Sequence, residues 1–225
     1  MRHNPDAVMI FAAGFGTRMG ALTATTPKPL IRVAGRALID HALDLTAHLD
    51  TVVANTHYLP DQLDAHLSPK GVHLSFEPDI LETGGGLRAA LPLLGNDPVF
   101  TLNSDAVWTG MNPLKRLATA WTPDDMDALL MLIPRDNALG HTGAGDFVPD
   151  ANGRLERGAG LVYSGAQIIK TDLLHSIDEK AFSLNLLWTL MAQNNRLFGI
   201  THDGMWCDVG RPDGIHTAEQ MLADV

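Results

Sequence analysis

Only one cysteine, Cys207, occurs in the 225 residues, so no disulfide can form within the chain. A reducing compartment, the cytoplasm, is expected on that ground. No apolar run approaches the roughly 18 residues a membrane helix needs, so no membrane partner is expected. The first residues, MRHNPDAV, lack the apolar core of a secretory signal. Positive charge is also in deficit: Lys and Arg number 16 against 26 Asp and Glu, a net charge of −10. Such a chain has no long-range attraction for a polyphosphate backbone, which argues against DNA or RNA as a partner. A small phosphorylated ligand remains open, because a local cluster can be positive on an acidic protein. The ten histidines are scattered, with no H-x-x-x-H pair and no neighbouring cysteine, so a zinc site is not expected. Repeats, low-complexity segments and linkers are missing too. One domain over residues 1–225 is expected.

What the chain does have is the stretch Val8–Leu30, VMIFAAGFGTRMGALTATTPKPL. Four apolar residues, Val8 to Phe11, read as a buried strand. Ala12 and Ala13 then lead into Gly14-Phe15-Gly16, followed by Thr17 and Arg18 and by Lys28 between two prolines. Glycines let main-chain N–H groups approach an anion closely, and the two cations can neutralise it.

The rest of the chain repeats strand and helix at short intervals. Helical spacing over 37–49 is followed by an apolar strand at 51–55, a proline-started helix at 60–67 and a half-covered strand at 72–76. A second glycine-rich loop, Glu82 to Gly86, opens a helix to about Leu94, and Val99–Asn103 reads as a fourth strand ending at Asp105. This alternation predicts an α/β protein with a doubly wound, mostly parallel, Rossmann-like sheet. In such sheets ligands bind at the carboxyl ends of the strands, which gathers Gly14–Arg18, Asn55, the Glu82 loop and Asp105 on one edge. The second half is less regular. It holds strands at 128–133 and 161–169, a hairpin of 146–148 with 154–156, a helix over 183–194 capped by Ser183, short strands at 197–201 and 205–209, and a closing helix at 214–223. A β-rich lid over the sheet is expected from it.

Three phosphate-binding patterns compete for the first loop. A dinucleotide fold needs a third glycine where Met19 stands and an acidic residue where the second strand ends in Asn55. Lys28 does not fit the spacing of a P-loop. The third pattern fits: Gly14-x-Gly16-Thr17-Arg18, eight residues, then Pro27-Lys28-Pro29-Leu30 resembles the sugar-1-phosphate nucleotidyltransferases. The resemblance extends through Ala12-Ala13-Gly14, Gly145-Asp146-Phe147 and Trp206-x-Asp208-Val209-Gly210 over nearly the whole chain. It implies the nucleotide-diphospho-sugar transferase fold and attack of a sugar 1-phosphate oxygen on the α-phosphate of a nucleoside triphosphate.

What the resemblance implies for each residue follows. The loop Ala12, Ala13, Gly14, Gly16 and Thr17 would hold the nucleotide together with Asn103. Arg18 would bind the leaving pyrophosphate, and Lys28 would lie near the attacked phosphate. Asp105 and Asp208 would hold Mg²⁺, which favours a few carboxylates plus substrate phosphates. Glu82, Thr83 and Gly84 would read the base. Gly145, Glu156 and Gly165 fall where the family contacts the sugar. Within the family the motifs match a compact subgroup, which implies uridylyl transfer from UTP to an amino-sugar 1-phosphate, N-acetylmuramate 1-phosphate, in cell-wall recycling. Guanylyl transfer to mannose 1-phosphate and a catalytically silent nucleotide-binding paralogue are the alternatives. Two departures stand out: Phe15 replaces the subgroup's lysine, and Glu156-Arg157-Gly158 replaces the glutamate-lysine-proline of larger relatives. A planar guanidinium can fork onto phosphate but does not reproduce lysine's geometry. The oligomeric state is not legible.

Overall fold

The structure, a computed structural model, describes residues 5–95 and 98–224; the polar start Met1–Asn4 lies outside them. Strand β1 (Ala7–Phe11) is followed by two two-residue strands, β2 (Arg32–Val33) and β3 (Arg36–Ala37), which pair with each other. Then come α1 (Leu38–Thr46), β4 (Thr51–Thr56), α2 (Pro60–Leu67), β5 (His73–Phe76), α3 (Glu82–Leu94) and β6 (Val99–Asn103). The second half begins with β7 (Ala106–Trp108), α4 (Pro113–Ala120), β8 (Ala128–Ile133) and β9 (Ala138–Leu139). It continues with β10 (Phe147–Pro149), β11 (Leu155–Arg157), β12 (Val162–Ile169), α5 (Asn185–Gln193), β13 (Leu197–Thr201), β14 (Trp206–Asp208) and α6 (Pro212–Ala223).

Seven strands form the central sheet in the order β13-β8-β12-β6-β1-β4-β5. β12 is antiparallel to both its neighbours, and the other pairings are parallel. Successive residues of β1 point to opposite faces, as the two-residue period of a strand requires. Met9 joins a core with Leu87 and Leu91 of α3 and with Trp188 of α5. Val8 and Ile10 join a second core with Ala42 of α1, Leu63 of α2 and Leu117 of α4. A sheet covered on both faces needs continuous apolar strands, which is why β1 and β8 carry no polar residue.

The sequence expectations are refined in three ways. β8, β12 and β13 lie in the central sheet itself, so the irregular part is confined to the hairpin β10-β11 and to a small sheet of β7, β14 and β9. α3 starts at Glu82, not after the glycines, because Gly84, Gly85 and Gly86 are helical. Glycine is a poor helix former, and here close packing overrides propensity: a Cβ on Gly84 would lie 2.3 Å from the Phe182 ring, and one on Gly86 would lie 2.6 Å from Glu77 Oε1. α5 starts at Asn185 with Leu184 at its N-cap; Ser183 Oγ, one residue earlier, accepts from both the Asn185 N–H (3.3 Å) and the Asn185 side chain (2.9 Å).

The chain runs outward from β1 through β4 to β5, then returns to β6 on the other side of β1. That reversal leaves a crevice at the carboxyl ends of β1 and β6, the place where open α/β sheets bind ligands.

Candidate active site

A cavity of about 330 Å³ occupies that crevice. Ala12 and Ala13 leave β1 into it, and Asn103, Ser104 and Asp105 leave β6 into it. Ser104 Oγ donates to the Phe11 carbonyl at 2.6 Å and ties the two strand ends together.

One wall is set by a buried polar chain. The Ala12 N–H donates to Asn55 Oδ1 at 2.7 Å, and Asn55 Nδ2 donates to Glu77 Oε1 at 2.7 Å. The Leu81 N–H donates to Glu77 Oε2 at 3.1 Å. The amide orientation is forced, since a main-chain N–H needs an acceptor on one side and a carboxylate needs a donor on the other. Sequence reading missed Glu77 and Ile80, both of which line the cavity. The available signal for Glu77 was its place directly after β5, on the edge where the topology collects ligand groups.

The glycine loop divides its two tasks. Gly16 is required by the protein: its φ is +64°, and a Cβ there would lie 2.8 Å from Lys28 Cβ. Gly14 has open space around it, with nothing within 4 Å of an added Cβ. The N–H groups of Gly14, Phe15 and Gly16 meet no acceptor among the described residues. Phe15 is exposed and packs edge-on against His57, ring centroids 5.2 Å apart. Thr17 and Arg18 begin a short 3₁₀ segment, Thr17–Thr23, and line the same cavity.

Lys28 reaches in from a 3₁₀ turn between Pro27 and Pro29 and is 8% exposed. Its Nζ is 2.7 Å from Asp105 Oδ2. Asp208 stands beside this pair. β14 is antiparallel to β7 with Asp208 opposite Ala106, and the Val209 N–H donates to the Asp105 carbonyl at 2.9 Å. Burial holds the Asp208 carboxyl above its ordinary pKa, the Asp105 charge pushes it further up, and Lys28, Arg18 and His141 pull it back. A Cβ on Gly210 would sit 3.0 Å from Asp208 Oδ2, so that glycine leaves the carboxylate uncovered. Asp208, whose charge burial and the neighbouring Asp105 disfavour, stands with Asp105 as a pair of oxygen donors, and oxygen is the donor a hard divalent cation prefers. No group of three or more His, Cys, Asp or Glu gathers among the described residues. Asp105 and Asp208 could therefore fill only part of such an ion's shell, leaving the rest to substrate oxygens and water.

The base-loop residues separate. Glu82 and Thr83 line the cavity, and Glu82 carries a φ of +57°, an uncommon backbone state for a non-glycine residue. Gly84 lies behind the wall, with its N–H donating to the Phe182 carbonyl at 2.8 Å. Its lack of a side chain serves helix packing, which corrects the expectation of a main chain free to read a base. Gly165 sits at the bulge of β12, where a Cβ would come within 2.6 Å of Asn103 Cγ, so its absence shapes the β6 end. Gly145 and Glu156 are not part of the cavity wall; Glu156 is exposed on the hairpin. Arg157 packs its guanidinium over Phe147, 4.3 Å from the ring centroid, and bonds to Asn185.

A glycine loop at the switch point of an α/β sheet, facing a lysine–aspartate pair and a second aspartate, defines a nucleotidyltransferase. Residues 8–145 match the family model of the MobA-like NTP transferase domain. The chain belongs to that family and, within it, to the sugar-1-phosphate nucleotidyltransferases. It is 39% identical to the N-acetylmuramate alpha-1-phosphate uridylyltransferase of Caulobacter vibrioides over 100% of both chains. It is 38% identical to the enzyme of that name from Neisseria meningitidis serogroup B, over 90% of this chain and 92% of the relative. Among solved structures, a putative glucose-1-phosphate thymidylyltransferase from Bacillus anthracis superposes with a TM-score of 0.80 at 16% identity, covering 97% of this chain and 96% of that one. That likeness concerns the fold.

Proposed function

We propose that the protein transfers a uridylyl group from UTP to an amino-sugar 1-phosphate, N-acetylmuramate 1-phosphate, in a Mg²⁺-dependent step of cell-wall sugar recycling. The observation that carries the reading is the Lys28–Asp105 pair set beside Asp208 under the Gly14 loop. The two bacterial relatives named for this reaction support the choice of base and sugar.

In the step, a phosphate oxygen of the sugar forms a bond to the α-phosphorus of UTP. The bond from that phosphorus to the bridging oxygen breaks, and pyrophosphate leaves with the electron pair. The attacking phosphate monoester is already ionised near neutral pH, its second pKa being about 6, so no protein base is needed. The work left for the protein is alignment and charge stabilisation. The free N–H groups of Gly14, Phe15 and Gly16 face the triphosphate. Arg18 holds the departing pyrophosphate. Lys28 carries positive charge to the α-phosphate, kept on station by Asp105. Glu82 and Thr83 border the base, with Gly84 fixing them through its packing on Phe182. Gly165, Gly145 and Glu156, assigned to the sugar by the family resemblance, lie outside the cavity wall, and Gly165 acts on it through its close approach to Asn103. Mg²⁺, when bound by Asp105 and Asp208, supplies charge neutralisation for the phosphate oxygens.

A pyrophosphate-release screen crossing nucleoside triphosphates with sugar 1-phosphates tests the reading. Release requiring UTP, Mg²⁺ and N-acetylmuramate 1-phosphate together is the expected result. A preference for GTP with mannose 1-phosphate, or tight nucleotide binding with no release for any acceptor, would sink it.

A further inference from the structure

Beside the site runs the loop from Arg135 to Gly143, which encloses a second cavity of about 370 Å³. The loop is fastened to the catalytic edge at Gly140, whose φ is +77° and whose added Cβ would lie 2.4 Å from the Asp208 carbonyl oxygen. β9, within the loop, pairs with β14 next to Asp208.

Arg135 lines this cavity, is exposed, and has no side-chain hydrogen bond or ion pair among the described residues. Arg211 is in the same state among the described residues, whereas most of the other arginines are tied down. Arg36 pairs with Asp44, Arg116 with Asp203 and Arg196 with Asp127, while Arg88 binds main-chain carbonyls. Arg18, which faces the first cavity, is likewise without a protein anion. A second unsatisfied group lies on the same loop: His141 Nε2 is buried without a hydrogen-bond partner. Asp136 also lines the cavity and makes no ion pair with Arg135. In a protein of net charge −10, an arginine left beside an aspartate yet unpaired is available to an anion from outside. An acceptor group offering both a carboxylate and a donor would engage Arg135 and Asp136 together.

We propose that this second cavity seats the acid side arm of the acceptor sugar, with Arg135 holding its carboxylate. The inference rests on the reading of the protein as an amino-sugar 1-phosphate uridylyltransferase. It deepens that reading by assigning a residue to the choice between sugars that differ in this one group. N-acetylmuramate carries a lactyl ether ending in a carboxylate; N-acetylglucosamine has a hydroxyl at the same carbon. Asp136 then accepts from a neighbouring sugar hydroxyl or amide N–H.

The test is equilibrium binding of N-acetylmuramate 1-phosphate and N-acetylglucosamine 1-phosphate to the wild type, Arg135→Leu and Arg135→Lys, with pyrophosphate release measured in parallel. Arg135 has no protein partner to lose, so the variants are expected to fold. The wild type should prefer the carboxylate-bearing sugar. Arg135→Leu should cut that preference about tenfold or more, the scale of a charged hydrogen bond, and Arg135→Lys should retain part of it. An unchanged preference overturns the proposal. An equal loss for both sugars also overturns it, since it assigns Arg135 to the shared phosphate. A preference lost on mutation without any uridylyl transfer by the wild type leaves this assignment standing and removes the reading beneath it.

Discussion

Lys28 Nζ and Asp105 Oδ2 are 2.7 Å apart, and the lysine side chain is almost wholly buried. Buried pairs of this kind cost desolvation and return little net stability. The pair holds a flexible ammonium at the wall of the first cavity.

Lys28→Met removes the charge while keeping length. Pyrophosphate release should fall by about 10²- to 10³-fold, the scale of losing one preorganised electrostatic group. Steady-state assays with saturating substrates check it, and a loss confined to KM would reassign Lys28 to ground-state binding.

Asp208→Asn separates the catalytic from the structural consequences of the second carboxylate. The folded pKa of Asp208 is raised, so its ionised form is disfavoured in the native state. Its contribution is fully present below the unfolded value and is lost as pH rises through the folded one. The metal-free variant should therefore melt higher than metal-free wild type at neutral pH, while activity drops about 10²-fold or more. Chelation of divalent ions should silence wild type, and added Mg²⁺ should raise its melting temperature more than that of the variant.

The two loop glycines should respond oppositely to alanine. Gly16→Ala puts a Cβ at positive φ against Lys28 and should cost about 1–2 kcal/mol of stability. Gly14→Ala meets open space and should melt like wild type, yet bind UTP more weakly because the triphosphate must approach that atom. Thermal melts with and without nucleotide separate the two; equal behaviour would refute the division of tasks.

His202 sets a pH dependence of stability. It is buried, with Nε2 2.9 Å from the Thr109 carbonyl oxygen and its ring edge-on to Trp108. Burial lowers its pKa first; the Thr109 carbonyl and Asp203 oppose that, and Arg116 reinforces it. The unfolded chain takes up a proton near pH 6.5 while the native state resists it. Stability is thus present above about pH 6.5 and lost as pH falls toward the folded value. His202→Gln should flatten the melting temperature between pH 7 and pH 5 relative to wild type.

Cys207 should be inert in the native protein. Burial and the Asp208 charge push its thiol up to about 11, and the residue is 0% exposed. Thiol titration should find no reactive group until denaturant is added, and one thereafter. Rapid modification of the native protein would contradict this burial.

Much of the site was legible because strand ends and glycine spacing are local properties. Val8–Phe11 could be read as a buried strand, and its exit into Gly14 and Gly16 marked an anion loop. Asp105 followed from the end of the fourth strand read from the sequence. Other features depended on contacts distant in sequence. The helical state of Gly84–Gly86 is set by Phe182, Lys180 and Glu77, none of which a local pattern brings near. Arg135 gave no periodic or motif signal, and its lack of a partner is visible only when every neighbouring acid has been placed.

The sequence by itself determined the alternation of strand and helix and the glycine loop after the first strand, and its resemblance to a family singled out the two aspartates. These rest on side-chain period, backbone permissiveness and motif spacing, which short stretches carry. The tertiary structure alone decided that β12 enters the sheet antiparallel, that β14 brings Asp208 beside Asp105, and that Glu77 and Asn55 buttress the loop at Ala12. Those are pairings between segments 22 to more than 100 residues apart, fixed by the burial of two cores and by the requirement that buried polar groups find partners.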